Sequence, residues 1–434
     1  MPPFRGRIKK DQTHRARGAQ CAPRTRLSRT VRSDGTENGM TEYTERQQAP
    51  TEELLQAMAA EVAAPSGERE ETVASIDEQV RVSVIMPVFN AAQYLPAALD
   101  SLLSQTLTEI EIICVDDGST DGCLEILKQY RERDARVRIV TENNAGPSRA
   151  RNNGLRRARG VYVAFMDADD FCESTWLEHV HALAEATQAD IAVAGYDLYR
   201  ESIRRFAAPI ASEEAAAFAA GCAVSRSDLP DVLFQITDGY AWSKLFRNSF
   251  LREKALAFPE DVFMFEDAYF VATALSVADR LARCDEVLLH HRVYSDQVRN
   301  RTFPKHYAQV VDVFVRLRAF LVSHGMYLPL SASYLQYSAT RCFKVYNLLA
   351  LEEKGILWNR LHEQLEPLGW GGDCHTAVRD ADASDFLSAV GRYTYEQYYP
   401  RLVRGLKLRP PRVRRAKGFF ASLFGRRRGK TQDG

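Results

Sequence analysis

Read for its hydrophobic and polar positions, the chain changes character near Arg81. From there, short apolar runs of strand length alternate with stretches of helical period. Val82-Ser83-Val84-Ile85-Met86-Pro87 predicts a buried strand that Pro87 stops. Tyr94-Leu95, Ala98-Leu99 and Leu102-Leu103 then recur at helical spacing through Gln105. Glu111–Val115 predicts a second buried strand, followed by the polar turn Asp116–Asp121 and a helix carrying Leu124, Ile126, Leu127 and Tyr130. A third strand is expected over Val137–Val140. Asn143–Pro147 supplies a turn and a helix start, with Asn144 as N-cap and Pro147 in the first turn. That helix runs to about Arg159 and delivers the chain to Val161–Phe165, an apolar run ending in Asp167-Ala168-Asp169-Asp170. A helix over 175–187 and a strand over 190–194 follow. The pattern then loosens until helical period returns near His306.

Alternating strands and helices predict an α/β fold with a mostly parallel sheet and right-handed crossovers. Ligands of such sheets sit beyond the carboxyl ends of the strands, where Phe89-Asn90, Asp116-Asp117 and Asp167/Asp169 all fall. Residues 1–80 are expected to be disordered, apart from a short helix over 52–63. Met40 opens a less basic stretch, so 1–39 reads as an extension upstream of the made protein.

Composition adds little beyond a globular class: Lys+Arg and Asp+Glu are equal at 57 each, which points to no polyanionic partner. Eight cysteines without a CxxC pair fit buried reduced thiols better than a disulfide framework or zinc site. No apolar run approaches the roughly 18 residues needed to span a bilayer, so a cytosolic chain is expected. Charge is uneven, however. Residues 401–430 hold many Arg and Lys and no acid, interrupted by Phe419-Phe420-Ala421-Ser422-Leu423-Phe424. Aromatics between basic clusters suit an anionic membrane surface rather than nucleic acid, with a plain solvated tail as the alternative.

Three carboxylates within four residues at a buried strand end repel one another unless a cation neutralises them. A solvated acidic turn is the other reading of that segment alone. The wider set decides between them. Val84–Asn90, Asp116-Asp117-Gly118-Ser119, the Asn143–Gly154 turn and helix, Asp167-Ala168-Asp169-Asp170, Trp242-Ser243-Lys244-Leu245-Phe246 and Phe265-Glu266-Asp267 occur in that order. Together they resemble the family 2 glycosyltransferases of the GT-A fold, over about residues 83–300. The resemblance implies a Rossmann-like sheet flanked by helices. It also implies inverting transfer of a sugar from a nucleotide diphosphate, usually UDP, to an acceptor hydroxyl.

By that likeness, main chain near Pro87, with Phe89 and Asn90, borders the base, and Asp117 accepts from the uracil imide. Arg149, favoured over Arg151, meets the diphosphate at a helix N-terminus. Asp167 lies near the ribose and Asp169 ligates Mg²⁺ or Mn²⁺, with strand alternation turning both to one side. Asp170 is left without a role. Asp267 is the base that deprotonates the acceptor, and Glu266 orients the acceptor or Asp267. Trp242 walls the sugar or acceptor pocket or packs in the core. Lys244 fixes its segment or neutralises phosphate. His290-His291 replaces a family Tyr-Tyr, a departure, while Arg292 keeps the family identity and is expected near phosphate.

The expected organisation is a disordered extension (1–80), a GT-A domain (81–300, nucleotide half 81–195 and acceptor half 196–300), a helical region (301–400) and a basic tail (401–434). The expected function is a metal-dependent glycosyltransferase acting on a glycan or lipid-linked acceptor in surface polysaccharide biosynthesis. It uses a nucleotide-sugar donor at the inner face of the membrane and adds single sugars. A sugar nucleotidyltransferase and a non-catalytic sugar-nucleotide-binding module are the alternatives. The first needs a Gly-rich basic loop after the first strand, which Pro87–Ala92 lacks. The second has no need of Asp267.

Overall fold

The computed structural model describes residues 80–207, 218, 220–295 and 297–403. The readings on 1–79 and 404–434, including the short helix over 52–63 and the basic tail, lie outside the described residues.

Strand β1 (Val82–Val88) explains the continuous apolar run. Val82, Val84, Met86 and Val88 pack with one core while Ile85 packs with the other, so both faces of the strand are covered. Helix α1 (Leu95–Leu103) leads to β2 (Ile110–Asp116), and α2 (Cys123–Arg133) leads to β3 (Val137–Thr141). Helix α3 (Pro147–Arg157) returns the chain to β4 (Tyr162–Phe165), and β4 to the two-residue β5 (Phe171–Cys172). Helix α4 (Trp176–Thr187) precedes β6 (Ile191–Arg200), which continues past the predicted end at 194 into a hairpin with β7 (Arg205–Ala207).

After β8 (Ala223–Val224) come β9 (Lys244–Arg247), α5 (Asn248–Glu253), α6 (Glu266–Val277) and β10 (Leu281–Val293). Among the described residues the sheet is ten-stranded, with main order β3-β2-β1-β4-β9-β6-β10-β5. The first four strands of that order, up to β4, are parallel, as are β6 and β10. Strand β9 lies between those groups and runs antiparallel to both β4 and β6. Pro87 is tolerated in an interior strand because β4 has ended at Phe165, opposite Ile85, before it is reached.

The helical region begins with α7 (Val298–His306), then α8 (Gln309–Ser323), α9 (Tyr327–Leu348), α10 (Leu351–Glu363), α11 (Leu365–Leu368), α12 (Ala381–Arg392) and α13 (Tyr395–Val403). Its Val310, Phe314 and Tyr334 share a core with Phe165 of β4 and Phe270 of α6. Each such fully buried side chain contributes about 1.5–3 kcal/mol relative to exposure.

Away from the carboxyl ends of the strands, Glu111 is 2% exposed, yet it accepts from Ser83 Oγ (2.7 Å), Arg138 (2.6 Å) and the Arg159 main chain (2.8 Å). Burial opposes its charge, but these donors outweigh burial and hold its carboxyl below the usual range. Among the described residues Cys114, Cys123, Cys172 and Cys342 are buried free thiols, as expected. No helix among the described residues is long and apolar enough to cross a membrane.

Candidate active site

The strand ends are joined by short polar links. Asn90 adopts φ +50°, a left-handed conformation that Asn tolerates. Its Oδ1 accepts from Thr120 N (2.8 Å), and its own N–H donates to Ser119 Oγ (3.1 Å). Asn90 therefore ties the end of β1 to the turn after β2. Asp117, 3% exposed, accepts from Ala145 N (2.7 Å) and Gly146 N (2.9 Å), one through each oxygen. Burial raises its pKa while those two N–H groups pull it down. A carboxylate has about four acceptor sites, so both oxygens retain capacity. Asn144, expected as N-cap, is not: Gly146 caps α3 at φ +94°, without a side-chain bond.

Phe89 and Asn90 line a cavity of about 400 Å³ with Phe263, Arg301, Thr302, Lys305 and His306. The cationic wall comes from α7. Sequence alone does not single out these cations, because nothing in a solvated basic helix distinguishes it from a cleft wall.

Within α3, Arg149 is exposed and Arg151 is buried. Arg151 donates to Asp167 Oδ1 (2.9 Å) and Glu266 Oε1 (3.1 Å), and lies 3.4 Å from Asp267 Oδ1. Its guanidinium also rests over the Phe258 ring. A sequence signal for this exists: Ser148, Arg151 and Gly154 share one helix face whose other members are small. Asn152 beside it clamps the segment before α6, donating to Phe258 O (2.9 Å) and accepting from Phe258 N (2.9 Å).

Strand β4 stops at Phe165, so the acids lie on a turn closed by Asp170 N to Asp167 O (3.1 Å). Turn geometry, not strand alternation, brings Asp167 and Asp169 together. Asp167, Asp169 and Asp170 each offer an oxygen within 4.8 Å of the others. Asp169 accepts from Tyr294 OH (3.0 Å); burial, then Asp170 and Asp167, push its pKa to about 7. Asp170, 3% exposed, is consumed by Arg292 N (2.8 Å) and by His291 Nδ1 (3.1 Å). Burial disfavours the charged ring of His291, but Asp170 and then Asp169 prevail and raise it to about 9. An oxygen-only donor set with two partly open members, Asp167 and Asp169, fits a hard divalent cation.

Arg292 is not presented to a ligand. It donates to Asp169 O (2.8 Å), pairs with Glu201 (2.5 Å) and packs against Tyr94, Phe171 and Tyr199. Lys244, 1% exposed, donates to Asp238 O (2.8 Å) and Tyr240 O (2.6 Å), and burial lowers its pKa to about 7. It therefore fixes its own segment, the first of its two expected jobs. Trp242 is buried between Tyr240 and His291, stacked on both, and meets Tyr196 edge-on. His290 bonds Asp197 (2.7 Å) and Glu173 (2.9 Å).

Phe265 has φ +71°, and this left-handed residue opens α6, putting Glu266 and Asp267 in the first turn. Burial, then Asp267, raise Glu266 to about 7. Asp267 is raised by burial against the pull of Arg151. Its Oδ2 accepts from Ala241 N at 3.4 Å, while Oδ1 is buried without a hydrogen bond.

Residues 83–237 match the family described as Glycosyl transferase family 2. The chain carries a family 2 glycosyltransferase domain. It is 35% identical over 216 residues to the uncharacterized glycosyltransferase EpsJ of Bacillus subtilis, covering 49% of this chain and 60% of EpsJ. It is 44% identical over 122 residues to the glycosyltransferase GlyA of Streptococcus pneumoniae, covering 28% of this chain and 18% of GlyA. The chain thus spans less than two thirds of either relative. In fold, the chain is similar to Staphylococcus aureus TarS 1–349 in complex with UDP-GlcNAc: TM-score 0.62, 20% identity, 75% of this chain and 92% of that chain.

Proposed function

We propose that this chain transfers a sugar, with inversion, from a UDP-linked donor to a hydroxyl of a glycan or lipid-linked acceptor in surface polysaccharide biosynthesis. The observation that carries the reading is the Asp267 carboxylate, buried at the start of α6 with one oxygen free of any hydrogen bond. Burial raises its proton affinity, which suits a general base that must take the acceptor proton. Arg151 meets Asp167 through one terminal nitrogen and Asp267 through the other, which supports a cleft in which the donor and acceptor groups are held by one guanidinium. TarS, which shares the fold, is known with UDP and UDP-GlcNAc, which favours a UDP donor.

In this reading Phe89 borders the base, Asp117 retains acceptor capacity for it, and Arg149 with the α7 cations faces the diphosphate. Asp169, with Asp167 beside it, would hold Mg²⁺ or Mn²⁺, which when bound offsets charge on the departing nucleoside diphosphate. Arg292 and His291 position that loop rather than touch substrate. Asp267 takes the hydroxyl proton at its unbonded oxygen, and Glu266 shares Arg151 with it. The domain division at 195, 300 and 400 is part of the same reading, with the tail resting on an anionic membrane face.

Incubating the purified chain with a panel of nucleotide sugars, with and without Mn²⁺, and measuring released nucleoside diphosphate tests the assignment. Metal-dependent release from a UDP-sugar is expected. Asp267→Asn should lower kcat by 10²- to 10⁴-fold with donor KM little changed. Full activity of that variant would remove Asp267 from the mechanism, and donor binding without turnover would favour a binding module.

A further inference from the structure

The hairpin of β6 and β7 projects two apolar side chains into solvent beside the acidic loop. Ile203 at its tip is 57% exposed and Phe206 on the returning strand is 55% exposed. Phe206 rests on Tyr199 (5.2 Å) and His290 (4.9 Å), leaving the rest of its ring uncovered. Burying these groups in water-free surroundings is favourable, and the described residues leave them more than half exposed.

Their neighbours define the chemistry of what covers them. Arg204, exposed at the turn with φ +47°, and Arg200 make no ion pair among the described residues. The one acid of the turn, Glu201, is already paired with the inward-facing Arg292. The tip is therefore apolar and cationic at once. Two exposed side chains on one hairpin are far below the roughly 800 Å² per partner that a stable protein interface buries. They match an anionic bilayer surface, where aliphatic and aromatic groups enter the acyl boundary and arginines meet phosphates.

We infer that this hairpin dips into the interface of an anionic lipid membrane, as a contact separate from the basic tail. One weak anchor binds marginally and two bind stably, so the hairpin and the basic, Phe-rich sequence at 401–430 complement each other. The inference goes beyond the catalytic reading and does not depend on it. It also has a geometric outcome: Glu201 pairs with Arg292, and Arg292 holds the main chain of Asp169. The acidic loop is thereby fixed close above the lipid plane, where a lipid-linked hydroxyl would arrive.

The test uses the full chain carrying Ile203→Trp, since the four native tryptophans are at most 4% exposed. With phosphatidylglycerol vesicles containing brominated phosphatidylcholine, emission from the introduced indole should shift to the blue and be quenched. With phosphatidylcholine alone it should change little. In co-sedimentation, Arg204→Glu should weaken binding to the anionic vesicles at least about five-fold, the effect of one interfacial arginine. Ile203→Asp at the exposed tip should also weaken it. Vesicle binding with the emission of the Ile203→Trp chain unchanged would assign the contact to the tail and overturn the inference. So would the absence of binding, equal binding to neutral vesicles, or a dimer in sedimentation velocity that Ile203→Asp dissociates.

Discussion

Removing the Arg151 guanidinium would leave Asp167, Glu266 and Asp267 in a confined, largely dry space without their shared counter-ion. Breaking a buried ion pair by deleting one partner costs about 3–5 kcal/mol, so Arg151→Ala should shift the urea midpoint sharply downward. Arg151→Lys should recover only part, because one ammonium cannot reproduce the two-armed contact to Asp167 and Glu266. Glu111 makes the corresponding case at the far end of the strands. Its folded-state pKa is lowered, so its contribution is present above its unfolded pKa of about 4.3 and is lost as pH falls through the folded value. Glu111→Gln should therefore destabilise the chain by about 1.5–3 kcal/mol at pH 7 in chemical melts, the worth of its charge-assisted hydrogen bonds, since Arg138 and Arg159 stay partly solvated. The gap to the parent should narrow in acid. A gap independent of pH would show that shape, rather than charge, is what Glu111 supplies.

At the level of elements, α3 sits close to β1 because residue 154 has no side chain. A Cβ there would fall 2.4 Å from Ile85 Cγ2. Gly154→Ala should cost about 1–3 kcal/mol and push out the helix that carries Arg149 and Arg151, lowering donor affinity as well as thermal stability. Most elements through β4 are legible in the sequence because β1, β2 and β4 are continuous buried apolar runs and α1 has a regular apolar stripe, as Val82–Val88 and Leu95–Leu103 illustrate. Helix α3, whose buried face is Ser148, Ala150, Arg151, Asn152 and Gly154, is marked by its turn and Pro147 instead. The acidic motifs are legible too, since clustered carboxylates after apolar runs need an explanation. Less visible is which basic residue turns inward: Arg149 and Arg151 are two positions apart, and only the packing of Ser148 and Gly154 separates them. The antiparallel β9 is also hidden, because four residues in a strand leave no periodic trace. Asp170 has no visible role in the sequence because its partners, His291 and Arg292, are brought to it by a strand far along the chain.

Across the whole molecule, the helical region is not an appendage to the sheet. Phe270 and Ala274 of α6, which also carries Asp267, share their core with Val310, Phe314 and Leu317 of α8. A chain ending at His306 would open that face to water. It should lose cooperative thermal unfolding and sediment with aggregates on ultracentrifugation. A monomeric truncation with a sharp melt would show that α6 is held from the sheet side alone. The place of β9 carries a consequence for biosynthesis. Strand β4 receives its second neighbour only when Lys244–Arg247 inserts between it and β6. On the ribosome, the first four parallel strands must therefore wait with Tyr162–Ala164 as a bare edge while the following segment is translated. Unpaired edges of this kind recruit other chains. Slowing elongation before residue 244 should lengthen that exposure and lower the soluble yield, whereas chaperone supply during the same interval should restore it.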